Sequence, residues 1–132
     1  IIKINKYKMG KITPKLTVTG TAADWGAAVA ISVSDELTCE APAKGLSKVD
    51  VTTASPVQLV AAGSAGTTFV YIKNNNTSGT GYVDIETDGS AVYGTLMNGE
   101  FAWIPIDTAV GVEVTAVNAT VEVEYAYWSR TA

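Results

Sequence analysis

Residues 82–106 read YVDIETDGSAVYGTLMNGEFAWIPI, and this stretch decides the fold class. Val83 and Ile85 alternate with Tyr82, Asp84 and Glu86, the period of two of a half-buried strand. Asp88-Gly89 and Asn98-Gly99 then punctuate two further short runs, Val92–Met97 and Phe101–Ile106. Both dipeptides accept the positive φ of tight hairpin turns, so the stretch predicts a three-strand antiparallel meander.

The same reading extends in both directions. Downstream, Val112 and Val114 mark one strand, and Val121, Val123, Tyr125 and Tyr127 mark the last, with Glu122 and Glu124 on its other face. Upstream, strands are expected over Thr67–Lys73, Pro56–Ala62 and Lys48–Thr53. Ala62–Gly66 is then a turn and Asn74–Gly81 a polar loop. Leu37–Glu40 is expected as a short strand followed by a loop at Ala41–Gly45. Trp25–Val33 is Ala-rich, but Val29, Ile31 and Val33 alternate with small residues, which favours strand. Leu16 and Val18 share a face of a first strand that Gly20 ends. Turn signals every 8–12 residues are the spacing of a sandwich or barrel. The expectation is an all-β, antiparallel, jelly-roll-like β-sandwich of nine or ten strands. Its expected core is Val83, Ile85, Val92, Leu96, Ile104, Val112, Val114, Val121 and Val123.

The 132 residues suit one domain, with an extended arm at 1–13 and a single sandwich at 14–132. Charge is divided unevenly. Lys3, Lys6, Lys8, Lys11 and Lys15 stand in residues 1–23 without an acid, whereas the remainder holds four basic residues against all 13 carboxylates. A basic arm on an acidic body suits docking onto an acidic protein surface. Its Ile2, Ile4 and Met9 would add apolar burial to the contacts of Lys3, Lys6, Lys8 and Lys11, and these seven residues are the expected partner-binding set. Nucleic acid is not expected, because the arm has no Arg and a single aromatic, Tyr7. Apolar runs are far shorter than the about 20 residues of a membrane-spanning helix, so no membrane partner is expected, and no secretory signal is visible.

No catalytic, cofactor or metal site is expected. The chain contains no histidine, which removes the Ser-His and Cys-His nucleophile systems and imidazole metal ligands. One cysteine, Cys39, excludes an internal disulfide framework and reads as a small core hydrophobe. Asp84-x-Glu86-x-Asp88-Gly89 starts like a calcium loop, but Thr95 stands where the bidentate Glu belongs. Glu122 and Glu124 would lie about 6–7 Å apart on one strand face, a spacing any outward acidic row shares. Gly79-Thr-Gly81 lacks the strand–helix context of a phosphate cradle. The acceptor triplets at Asn75, Asn76 and Asn118 gain no meaning without a secretory signal. Trp25, the Phe101–Trp103 pair, and Tyr125–Tyr127 with Trp128 are expected in the core or in a subunit interface, and a sugar-stacking platform is the alternative.

Four segments carry a family likeness: Phe69-Val-Tyr-Ile-Lys-Asn74, Tyr82-Val-Asp-Ile85, Leu96-Met-Asn-Gly-Glu-Phe-Ala-Trp-Ile-Pro-Ile106 and Val123-Glu-Tyr-Ala-Tyr-Trp128. Over roughly residues 56–128 the chain resembles small β-sandwich virion proteins of tailed bacteriophages, in particular capsid decoration (cement) proteins. The resemblance implies a structural role on the capsid surface of the virion, with the major capsid protein as partner. It also implies a homo-oligomer, often a trimer, seated over capsomer junctions, with no enzymatic activity and no cofactor. A phage tail or carbohydrate-binding β-sandwich module is the alternative, and would need exposed aromatics beside the Asn74–Gly81 loop.

Overall fold

The computed structural model describes residues 9–62, 67–87, 91–107 and 109–130. Within them run eleven strands and one helical turn: β1 (Gly10–Ile12), β2 (Lys15–Gly20), α1 (Ala22–Trp25), β3 (Val29–Ser34), β4 (Leu37–Val51), β5 (Val57–Val60), β6 (Thr67–Asn74), β7 (Tyr82–Glu86), β8 (Val92–Leu96), β9 (Phe101–Asp107), β10 (Val112–Val117) and β11 (Val121–Arg130). All pairings are antiparallel. One sheet has the order β1-β4-β11-β6-β9 and a second β5-β10-β7-β8, while β2 and β3 pair only with each other.

Alternation explains the sandwich. Val70 and Ile72 of β6 and Val121, Val123 and Tyr125 of β11 point inward from the first sheet. Val83 and Ile85 of β7 and Val112 and Val114 of β10 meet them from the second, forming a single buried cluster. Each such aliphatic side chain contributes about 1.5–3 kcal/mol when fully buried, so the cluster supplies the main favourable term for closing the two layers.

Several expectations need correction. The meander holds for β7 and β8 but not for β9, which leaves that sheet and pairs with β6 in the other. A two-residue hairpin of the expected kind needs positive φ at both central residues, and in Asn98-Gly99 only Gly99 has it (φ 77°). The turn is closed instead by the Glu100 N–H to the Met97 carbonyl (3.0 Å). It is carried across to the end of β6, where Gly99 N–H donates to the Asn74 carbonyl (2.9 Å) and Asn74 N–H to the Glu100 carbonyl (3.0 Å). The other turn, Asp88-Gly89, lies outside the described residues.

Val92, expected in the core, is 54% exposed. Val83↔Leu96 and Ile85↔Gly94 keep the inward register, but the next pair is Glu86↔Val92. That irregularity between Ile85 and Glu86 puts Val92 on the outward side, as any one-residue slip of a strand does. The other eight expected core residues are buried, apart from Ile104, which is partly buried against the cluster.

The expected loop at 41–45 is strand. β4 runs unbroken and absorbs its awkward residues in two irregularities against β11. The register steps from Trp128↔Ala43 to Ser129↔Glu40, so Ala41 and Pro42 fall in the first. A bulge tolerates proline there, because its missing N–H breaks no ladder bond. Gly45 and Leu46 fall in the second, between Tyr127↔Lys44 and Tyr125↔Ser47. The expected strand at Trp25–Val33 begins only at Val29. Ala22–Trp25 is a helical turn that Gly26 ends at φ 76°, its N–H donating to the Ala22 carbonyl.

Candidate functional site: an apolar ribbon and an aromatic groove

β2 and β3 form a two-stranded ribbon whose sequence alternation sorts its faces. The pairs Leu16↔Val33, Val18↔Ile31 and Gly20↔Val29 lie on one face, and Lys15↔Ser34, Thr17↔Ser32 and Thr19↔Ala30 on the other. The first face is apolar throughout, yet its five large aliphatic residues are all exposed, by 36–56%. A two-stranded ribbon is marginal alone in water, so this face is built to be covered. At the root, the Asp35 N–H donates to the Pro14 carbonyl (3.3 Å). At the tip stands Trp25, 74% exposed, with its indole edge against Gly20. A Cβ at Gly20 would sit 3.1 Å from Trp25 Cδ1, so glycine there makes room for the ring as well as ending the strand.

The outer face of the five-stranded sheet is aromatic. The register Phe69↔Pro105, Tyr71↔Trp103 and Lys73↔Phe101 places β6 and β9 rings side by side, and Trp128↔Phe69 adds β11. Phe69 stacks on Trp103 with centroids 5.7 Å apart and 13° between planes, and Trp103 meets Trp128 at 5.8 Å. The Arg130 guanidinium lies 4.7 Å over the Phe69 ring, an attraction of about 0.5–2 kcal/mol. These neighbours bury Phe69 although it faces away from the main core.

Between the ribbon root and this face opens a groove of about 730 Å³. Leu16 and Val33 form one wall, and Tyr71, Phe101, Trp103 and Trp128 the other. Its chemistry is apolar contact, with Lys15 and Asp35 as its charged members. The Tyr71 hydroxyl donates to Glu124 Oε2 (2.9 Å). Burial, reinforced by that carboxylate, pushes its pKa up to about 12, so Tyr71 stays neutral and donating through the physiological range.

Several of the remaining candidates have structural partners. Glu122 accepts from Asn75 Nδ2 (3.2 Å) and lies 3.6 Å from Lys48 Nζ, while Glu124 accepts from Tyr71. The Asn74–Gly81 loop spends its amides on itself and its neighbours. Asn74 Nδ2 donates to the Leu96 carbonyl, Asn76 Nδ2 to the Thr120 carbonyl, and Asn76 Oδ1 accepts the Glu122 N–H. A smaller hollow of about 280 Å³ beside Gly81 and Tyr82 is likewise bordered by amides already used, Asn98 on the Gly79 carbonyl and Asn118 on that of Thr80. Burial raises the Cys39 thiol pKa against the smaller opposing effect of Arg130, which keeps it protonated rather than nucleophilic. Among the described residues, no three Cys, Asp or Glu side chains converge where a metal ion could be held.

Of the expected arm, Ile2, Lys3, Ile4, Lys6 and Lys8 lie outside the described residues. Met9 is exposed. Lys11 stands on β1, which pairs with β4 through Gly10↔Cys39 and Ile12↔Leu37, and it bridges to Glu36 at 2.6 Å. The chain is thus tied to the body at Gly10–Ile12. The aromatic clusters divide: Tyr125 and Tyr127 serve the core, whereas Trp103 and Trp128 line the groove and Trp25 the ribbon tip. Sequence reading missed the ribbon as a projecting unit, although the alternations of Leu16 with Val18 and of Val29, Ile31 and Val33 were its signal. It grouped Phe101, Trp103 and Trp128 as aromatic clusters but left Tyr71 out, because only the pairing of β6 with β9 puts Tyr71 beside Trp103. No protein-family model matches the chain, and no curated protein does either.

Proposed function

We propose that this chain is a structural protein of a bacteriophage virion, coating the capsid as a decoration protein and working through contact rather than catalysis. The observation that carries the reading is the ribbon: a projecting apolar face that the described residues leave uncovered and that continues into an aromatic groove. Exposed apolar surface of this extent is characteristic of an interaction site. The strand order supports the jelly-roll form of the sandwich. Counted from β4, the sheets run 1-8-3-6 and 2-7-4-5, the interleaving of two Greek keys that capsid and lectin domains share. The basic segment before β1, with Lys3, Lys6 and Lys8 beside Ile2 and Ile4, supplies the contact to the major capsid protein, drawn by charge and held by isoleucine burial.

The test is co-purification with intact virions. The chain should band with particles at a fixed ratio to the major capsid protein, and deleting residues 1–8 should loosen it and flatten the salt dependence of attachment. Absence from purified particles overturns the reading. Exposed Phe101 (64%) next to Trp103 keeps a glycan-stacking module as the second reading. Sugar-dependent quenching of tryptophan fluorescence, lost in Phe101→Ala, would favour it.

A further inference from the structure

We infer that the ribbon of one copy seats, head to tail, on the aromatic groove of a second copy of this chain. The inference rests on the reading above, that the exposed apolar surface is interface, and it names what covers that surface. Ribbon face, Trp25, Phe101 and Trp103 together expose on the order of 700 Å² of apolar side chain, taking about 150–250 Å² for each whole aromatic. That exceeds the about 300–600 Å² of the largest patch on a typical monomer. A head-to-tail contact shares this surface between its two partners, and at the about 56–65% apolar fraction of interfaces it corresponds to roughly 1,100–1,250 Å² in all, the small end of specific interfaces.

The two halves of this surface complement each other but cannot meet within one molecule. The groove's wall is the ribbon's own root, Leu16 and Val33, and Trp25 packs at Gly20, four residues further along the strand. At about 3.3 Å per residue the tip stands about 13 Å beyond Leu16, on a paired ribbon that cannot fold back onto its base. A neighbour's tip has no such restraint. The groove of about 730 Å³ has room for apolar side chains such as the Trp25 indole, and the ribbon's apolar face carries no charge that would be buried unpaired. An isologous contact, ribbon face on ribbon face, would leave Phe101 and Trp103 in water. The head-to-tail contact sets Val18, Val29, Ile31 and Trp25 of one copy against Leu16, Val33, Phe101 and Trp103 of the next, and its repetition generates a closed ring or an open string of copies.

The experiment uses the full chain and two variants, Ile31→Asp on the ribbon and Phe101→Asp in the groove. Circular dichroism and thermal melts first confirm that both fold, and Val18→Asp replaces Ile31→Asp if the latter does not. Sedimentation velocity should show wild-type assembly, weakened about 30-fold or more in each variant, as for loss of an interface hot spot. An equal mixture of the two variants should recover a two-copy complex, because one intact ribbon can meet one intact groove. A monomeric wild type at every concentration overturns the inference, and so does a mixture that fails to associate. Assembly without virion attachment leaves the self-docking standing and removes the capsid role, and the reverse outcome separates the two in the other direction.

Discussion

Replacing Gly111 by alanine tests the packing of the sandwich at one atom. Gly111 closes the connection from β9 to β10 at φ 66°, a conformation that costs an L-residue about 1–2 kcal/mol. A Cβ there would stand 2.7 Å from the Val60 carbonyl oxygen and 2.9 Å from the Ala62 nitrogen. Both obstacles are backbone, so no side chain can swing aside. β5 or the start of β10 must shift at the Val112↔Val60 pair, beside the buried Leu59 and Val60. Adding about 1–3 kcal/mol for that overpacking gives a loss of about 2–5 kcal/mol. Gly99→Ala is the internal control: its φ is 77°, but nothing lies within 4 Å of its added Cβ. It should cost only the backbone share, about 1–2 kcal/mol. Urea unfolding followed by far-UV circular dichroism, fitted with a common slope, measures both. At about 3–5 °C per kcal/mol for a domain of this size, Gly111→Ala should also melt roughly 6–25 °C below wild type. Equal losses for the two variants would refute the close approach of β10 to the end of β5.

Three further outcomes follow from particular side chains. Ile85→Ala should cost about 2–5 kcal/mol, whereas Val92→Ala should stay within about 0.5 kcal/mol; comparable losses in urea titrations would remove the bulge that turns Val92 outward. Tyr71 should be the late tyrosine in an ultraviolet pH titration, ionising near pH 12 against an ordinary 10. Because the folded state holds that proton more tightly, its contribution to stability is complete below about pH 10 and is lost as pH rises toward 12. Glu124→Gln should bring the titration only part of the way down, since burial is the larger cause. Among the described residues, Thr68 Oγ1 is buried without a hydrogen-bond partner. Thr68→Val therefore removes an uncompensated polar atom at constant shape, and the melting temperature should hold or rise, by the equivalent of at most about 1–3 kcal/mol.

Local chemistry made much of this protein legible as a string of residues. Period-two alternation gave β7, β10 and β11 and their inward faces, because in a strand half buried against a core each side chain's face follows from its own parity. The want of histidine and of a second cysteine is a fact of composition, and it narrows the candidate chemistry whatever the fold. The uneven charge was equally plain. What the sequence did not determine depends on which strands pair, and pairing is a long-range choice settled by the whole packed core. Asn98-Gly99 reads as a hairpin turn, yet bonds to Asn74 carry the chain to the opposite sheet. Val92 has core parity until a single register irregularity reverses it. The groove shows the same dependence. Phe69, Tyr71, Phe101, Trp103 and Trp128 come from three strands, and only the β9-β6-β11 order makes them one surface. Leu16, Val18, Ile31 and Val33 look like core residues by every local measure. Only the tertiary structure shows that the two large sheets close over other side chains and leave this ribbon's apolar face outside.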